Sequence, residues 1–186
     1  MKALMNVHFS TLTRPAICIF LALLSFPLSA QPTARSNAGM VYHQPSDSLI
    51  LFGGITGPDS GGARYGLNDM WEWTGSRWVR IYPANVPSPR AAFAMVEDTL
   101  RNRIVLYGGV TSGELLDETW YYENRAWTRL DVSGPGARQL PAAAYDRVRD
   151  RIVLFGGLAT GGTRLRDTWE FDGMVWTRIE ESGPDL

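Results

Sequence analysis

Lysine and cysteine are almost missing from this chain of 186 residues: Lys2 is the only lysine, Cys18 the only cysteine, and His8 and His43 the only histidines. All of these except His43 fall in the first thirty residues. Met1 to Arg14 holds Lys2, His8 and Arg14 but no acidic residue, and Pro15 to Leu28 is an apolar run that closes on Leu28-Ser29-Ala30-Gln31. That layout predicts a secretory signal peptide over 1–30, cut after Ala30. An uncleaved anchor needs about 18 or more apolar residues, and this run is shorter and holds Pro27.

Each absence from residues 31–186 excludes a chemistry. Without cysteine there is no disulfide framework, no thiol nucleophile and no thiolate metal ligand. Without lysine there is no Schiff base. A single imidazole rules out any site that needs two or more histidines. The mature chain would carry 16 arginines against 19 acidic residues, a net charge of −3. Such a surface lacks the clustered positive charge on which nucleic-acid binding depends. The expected partners are therefore neither nucleic acid nor, once the signal is removed, a membrane, and the expected location is secreted or periplasmic.

Helical spacing is missing too, and in its place stands a repeat. Arg35 to Gly53, Arg90 to Gly108 and Arg138 to Gly156 are each 18 residues apart, and each ends in a glycine pair: Gly53-Gly54, Gly108-Gly109 and Gly156-Gly157. Trp71, Trp120 and Trp169 follow at steps of 49, as do Trp78, Trp127 and Trp176. A fixed period of this length decides the architecture before any local propensity does. Before each glycine pair lies a run that is apolar at every position, Leu49 to Phe52, Ile104 to Tyr107 and Ile152 to Phe155, as in a strand covered on both faces. After it, a variable loop leads to Met70-Trp71-Glu72-Trp73 and its equivalents, where residues two apart share one face of a strand. Short turns such as Thr74-Gly75-Ser76 and Asp172-Gly173 return the chain to the second tryptophan. Each unit reads as a four-stranded antiparallel meander.

The order arginine, apolar strand, Gly-Gly, variable loop, Asp/Glu-Thr-Trp-x-aromatic, then Trp-x-Arg-Ile/Leu resembles kelch repeats, especially the bacterial secreted type and the repeats of the galactose-oxidase central domain. The resemblance covers 35–181. It implies an all-β fold of three kelch-type four-stranded antiparallel blades forming a partial, open β-propeller. The expected division is a signal peptide over 1–30 and an array over 31–186, with blades at about 35–82, 90–131 and 138–181. The fold by itself hosts both enzymes and binding platforms. Copper-radical sugar oxidases, which the resemblance brings in, use a cysteine cross-linked to tyrosine and copper-binding histidines, and residues 31–186 have no cysteine and one histidine. No catalytic residue, cofactor or metal is assigned.

Most marked residues have a structural reading. The glycine pairs lack a following Gly-Lys-Ser/Thr and a helical pattern, so they mark close backbone approach rather than phosphate loops. The tryptophans, locked to the period, are inter-blade core before they are a sugar platform. Arg35, Arg90 and Arg138 recur with Asp69, Glu118 and Asp167 as fixed arginine–carboxylate pairs rather than as an anion-binding ring. His43 occupies the register of Asp98 and Asp146, a hairpin-turn position. What differs between units lies in the loops after the glycine pairs, where a rigid scaffold places specificity: Asp59, Arg64 and Tyr65 in the first, Glu114 in the second, Arg164 and Arg166 in the third. The chain is thus expected to be a binding or assembly module that recognises a protein or a glycan through its blade loops; the alternative is a fragment or subunit of a carbohydrate-active propeller enzyme.

Closed rings of this kind use about four to eight blades. Ser133-Gly134-Pro135 stands just before Arg138, and Ser182-Gly183-Pro184 recurs 49 residues later, which would put the next repeat arginine at 187, beyond Leu186. The layout reads first as an interrupted array, a piece of a longer propeller. It also admits two copies joined as a homodimer of six blades, or docking on another propeller protein.

Overall fold

The structure, a computed structural model, describes residues 31–58 and 66–180. The expected signal peptide, the loop residues Asp59, Arg64 and Tyr65, and the terminal Ser182-Gly183-Pro184 lie outside the described residues.

Three antiparallel sheets stand side by side as the blades of a partial, open propeller. The first holds β1 (Arg35–Ser36), β2 (Gly39–His43), β3 (Ser48–Thr56), β4 (Gly66–Trp73) and β5 (Trp78–Ile81), with β1 and β2 both pairing with β3. The second holds β6 (Ala94–Asp98), β7 (Arg103–Tyr107), β10 (Thr119–Glu123) and β11 (Ala126–Leu130) in meander order, with the small hairpin β8 (Val110–Thr111) and β9 (Glu114–Leu115) in its central loop. The third holds β12 (Ala142–Asp146), β13 (Arg151–Leu158), β14 (Arg164–Phe171) and β15 (Trp176–Glu180). The first strands of the blades, β2, β6 and β12, pack against one another in turn, which places them at the axis.

Period-2 side-chain alternation gives every blade two faces. In the first blade Phe52 pairs with Gly39 and Met70, and these residues, with Ile50 and Ile81, look toward the second blade. The second blade answers with Ile104, Leu106, Tyr122 and Trp127. Its other face, with Ala94, Val96, Val105 and Tyr107, packs on Ile152, Leu154, Phe171 and Trp176 of the third. The central strand β7 is buried at all five positions, as the uninterrupted apolar run predicts. The expectation of cover on both faces fails for the outer blades: Phe155 is 39% exposed, and Leu49, Leu51 and Val153 are only half-buried. Their runs match the middle one, but among the described residues only the middle blade has neighbours on both sides.

The glycine pairs do what close approach demands. Gly53, Gly108 and Gly156 have φ of 61°, 71° and 64°, and the glycines after them 99°, 101° and 105°, conformations that L side chains rarely adopt. A Cβ on Gly53 or Gly108 would stand 2.8 Å from the carbonyl oxygen of Arg90 or Arg138, the first arginine of the next blade. Side chains are excluded there because successive blades meet backbone to backbone. The Gly54 N–H donates to the Arg90 carbonyl and the Gly109 N–H to the Arg138 carbonyl, both at 2.9 Å. Two residues past each repeat arginine the chain takes a left-handed turn, at Asn37 (φ 53°), Ala92 (58°) and Leu140 (55°). Asparagine tolerates this and alanine and leucine do not. The strain is held by hydrogen bonds passed from blade to blade, Ala92 N–H to the Asn37 carbonyl and Leu140 N–H to the Ala92 carbonyl.

Candidate functional site

The repeat arginines are structural pillars. Arg35 donates from Nη1 to Asp69 at 2.6 Å and from Nη2 at 2.9 Å, and Arg138 makes the same fork to Asp167 with both bonds at 2.8 Å. Arg90 reaches Glu118 at 2.6 Å. Each also donates to the carbonyl of the first glycine of its own pair, Gly53, Gly108 or Gly156, tying the entry of the blade to the glycine pair in or just after its second strand. The indole N–H of Trp71, Trp120 and Trp169 completes each set by donating to the same acid, at 2.6, 2.9 and 2.7 Å. Burial pushes these carboxyls up, but the guanidinium and indole hydrogen bonds outweigh it and hold Asp69, Glu118 and Asp167 below the usual carboxylate range. With every guanidinium committed to an acid and a glycine carbonyl, the three arginines hold the scaffold rather than a ligand.

The tryptophans divide into two classes. Trp127 is fully buried and Trp176 is 8% exposed, both wedged between blades. Trp120 and Trp169 are half-buried beside the same clusters, and Trp71 is 4% exposed, with the Arg80 guanidinium 5.7 Å from its ring centroid. Trp78, on the open side of the first blade, is half-buried against Trp73, ring centroids 5.4 Å apart.

Two recesses lie at the two ends of the blades. On the end that carries the glycine pairs, a shallow depression of about 670 Å³ opens between the loops of the second and third blades. Its floor and walls are Val110, Leu115, Ala137 and Ala159 with Gly113, Gly161 and Gly162, and its polar side chains are Glu114, Gln139 and Thr160. Small residues keep its walls low, and the Val110, Gln139, Ala159 and Gly162 N–H groups are bonded to backbone carbonyls. Glu114, expected from the sequence, is exposed at this site. Arg164 and Arg166 are exposed on β14, at the foot of the loop that supplies Thr160 to Gly162, and are not part of the lining.

The opposite end holds a cleft of about 540 Å³ between the first two blades, bordered by His43, Glu72, Arg101, Tyr122 and Arg125. His43 is 7% exposed, its Nδ1 lies 3.6 Å from a Glu97 oxygen, and that Nδ1 lacks a hydrogen-bond partner. Burial lowers its pKa, with the Glu97 charge opposing. The sequence carried a signal for this cleft: a histidine stands where the other units have aspartate. In those units the acid takes an arginine of its own hairpin, Asp98 from Arg103 and Asp146 from Arg149. Among the described residues no group of three or more His, Cys, Asp or Glu is placed to hold a metal ion.

Blades of this build, stacked around an axis with glycine bulges at each contact, define a β-propeller repeat protein. A family model described as the "KLHDC2/KLHL20/DRC7 Kelch-repeats domain" matches residues 26–185, and the chain belongs to that kelch-repeat family. In fold it is similar to the kelch propeller of "Structure of YjhT", with a TM-score of 0.65 and 18% identity over 81% of this chain and 54% of that one. It also matches the dynein alpha chain of the flagellar outer arm from Chlamydomonas reinhardtii, 29% identical over 97 residues, which is 47% of this chain and 2% of that protein's length. The chain therefore spans about half of the first and a small fraction of the second.

Proposed function

We propose that this chain is an extracytoplasmic protein-binding module whose partner docks on the glycine-pair end, in the depression between the second- and third-blade loops. The observation that carries the reading is the lining of that depression. It is formed by the segments that vary from unit to unit on an otherwise constant scaffold, and it presents small side chains and a single carboxylate, Glu114. The exposed hairpin of β8 and β9, with Glu114 at its turn, suits a polypeptide partner that would place a basic or hydroxyl side chain by that carboxylate. Kelch-repeat membership supports protein recognition. The extracytoplasmic location rests on the charge and apolar pattern of residues 1–30.

The test is photo-crosslinking in the native host with the probe at Glu114, compared with a probe at the exposed Arg147 on the opposite end. A discrete protein adduct from position 114, absent from position 147 and removed by Gly161→Trp, is the expected result. Adducts of equal strength from both ends, or saturable binding to a glycan array with no protein adduct, would replace the reading. Intact-mass measurement of the exported chain should find Gln31 at its N-terminus.

A further inference from the structure

We infer that the cleft between the first two blades is a binding site for a guanidinium group, the counterpart of an arginine that the chain supplies for itself at the next blade contact. The two contacts can be compared position by position. Between the second and third blades, Arg103 opens β7 opposite Asp98, the last residue of β6. It is buried and plugs that contact. Its Nε donates to Asp98 at 3.1 Å, its Nη2 donates to the Gly173 carbonyl of the third blade at 2.6 Å, and its guanidinium lies 4.9 Å from the Tyr121 ring centroid.

Between the first and second blades the same register holds Ser48, which opens β3 opposite His43 as Arg103 opens β7 opposite Asp98. A hydroxymethyl group leaves open what a guanidinium and its stem fill, and the cleft of about 540 Å³ opens there. Its lining residues stand where the holders of Arg103 stand. His43 has the position of Asp98, and Asn124, in the β10–β11 turn of the second blade, has that of Gly173 in the third. Glu72 pairs with Ile50 as Tyr121 pairs with Val105, and so holds the Tyr121 position.

The replacements make the vacant place suit a cation. Where the second blade offers an aromatic face, the first offers a carboxylate: Ser48 Oγ donates to Glu72 Oε1 at 2.7 Å, and among the described residues the other Glu72 oxygen has no donor. Glu123 borders the cleft and Glu97 stands beside His43. Of the two arginines on the rim, Arg101 is committed to Asp98 and Asp150, and Arg125 is exposed on a turn. His43 is 7% exposed and its Nδ1 has no partner, the condition of a buried polar atom whose neighbour is missing. Burial favours the neutral imidazole, so His43 does not supply the cation itself. Ile50 and Ile81 give an apolar wall for a methylene stem. The flat fork of a guanidinium donates to a carboxylate and a carbonyl at once, as Arg103 does. This cleft lies on the end opposite the depression assigned to a protein partner, and the inference is independent of that reading.

The experiment is calorimetric titration of the purified chain with N-acetyl-arginine amide and with the citrulline counterpart, which keeps the shape and lacks the charge. The expected result is saturable binding of the arginine compound and about 10-fold or weaker binding of the citrulline one, the worth of a charge-assisted pair. Glu72→Gln should weaken the arginine compound by about the same factor. Ser48→Arg, which installs the plug of the next contact, should abolish binding while the melting temperature holds or rises. A tripeptide with a central arginine separates the sources of the group: tighter binding than the amide marks an arginine within a polypeptide, equal binding a free guanidinium compound, and either supports the site. Equal affinity for the arginine and citrulline compounds, no saturation at millimolar concentration, unaltered affinity in Glu72→Gln, or full binding by a folded Ser48→Arg chain would overturn the proposal.

Discussion

The middle blade and the two outer blades are built from the same strand pattern, and only what lies beside them differs. Tyr107, packed between blades, is 1% exposed, while Phe155 at the same register is 39% exposed; Thr119 is fully buried where Thr168 is half-buried. Burial here belongs to the contact between repeats. A residue that is core in one repeat is surface in the next, and its energetic weight follows its neighbours rather than its identity.

That comparison is broken or sharpened first at the second tryptophans. Trp127→Ala should destabilise by about 3–5 kcal/mol, the range for truncating a fully buried tryptophan. Trp78→Ala, on the half-buried open face, should cost clearly less. Denaturant midpoints that fell equally for the two would mean that the open face is as well packed as the closed one.

The arginine pillars come next. Arg138→Met leaves Asp167 without its guanidinium and should cost about 3 kcal/mol, as loss of one partner of a buried pair does. Arg101 makes a different kind of link, bridging Asp98 in its own blade to Asp150 in the third at 2.8 Å. Its bonds, with that of Tyr145, hold the Asp150 carboxyl down to about 2. A carboxyl depressed in the folded state contributes stability that is present above its unfolded value near 3.9 and lost as pH falls toward 2. Thermal melts between pH 4 and pH 2 should therefore show a falling midpoint, and Asp150→Asn should flatten that slope.

Two smaller effects finish the series. Thr119→Val removes the acceptor of the buried Trp176 indole and should cost about 1–2 kcal/mol, whereas Thr168→Val should stay within about 0.5 kcal/mol of the parent. The first contact already shows what such a loss looks like. Met70 holds the threonine position there, and the Trp127 indole N–H is buried without a partner. Ala92→Gly, relieving a left-handed alanine, should stabilise by about 0.5–1 kcal/mol in equilibrium unfolding. No gain would show that the blade-to-blade hydrogen bonds had already removed the strain.

The architecture was open to reading because a period of 49 residues repeats every element three times, and glycine pairs and tryptophans mark the same points in each. The arginine–carboxylate pairs followed from their recurrence, and Arg35, Arg90 and Arg138 each lie in hydrogen-bond contact with Asp69, Glu118 and Asp167. Of the loop residues singled out, Glu114 lies in the depression and Arg164 and Arg166 stand beside the loop that forms it. Gln139 and the small residues of the floor gave no signal, because they recruit backbone rather than distinctive side chains. His43 did stand out from its register, but its burial beside Glu97 depends on how the first two blades stack.

The sequence by itself determined the blade: alternation, turns, bulges and fixed ion pairs are local or span a single repeat, so the chain carries them in its period. Only the tertiary structure decided which faces are core, because apolar runs identical in pattern are covered or open according to whether another blade lies against them. It also decided where the two recesses lie, because both form between blades, where residues from different repeats meet.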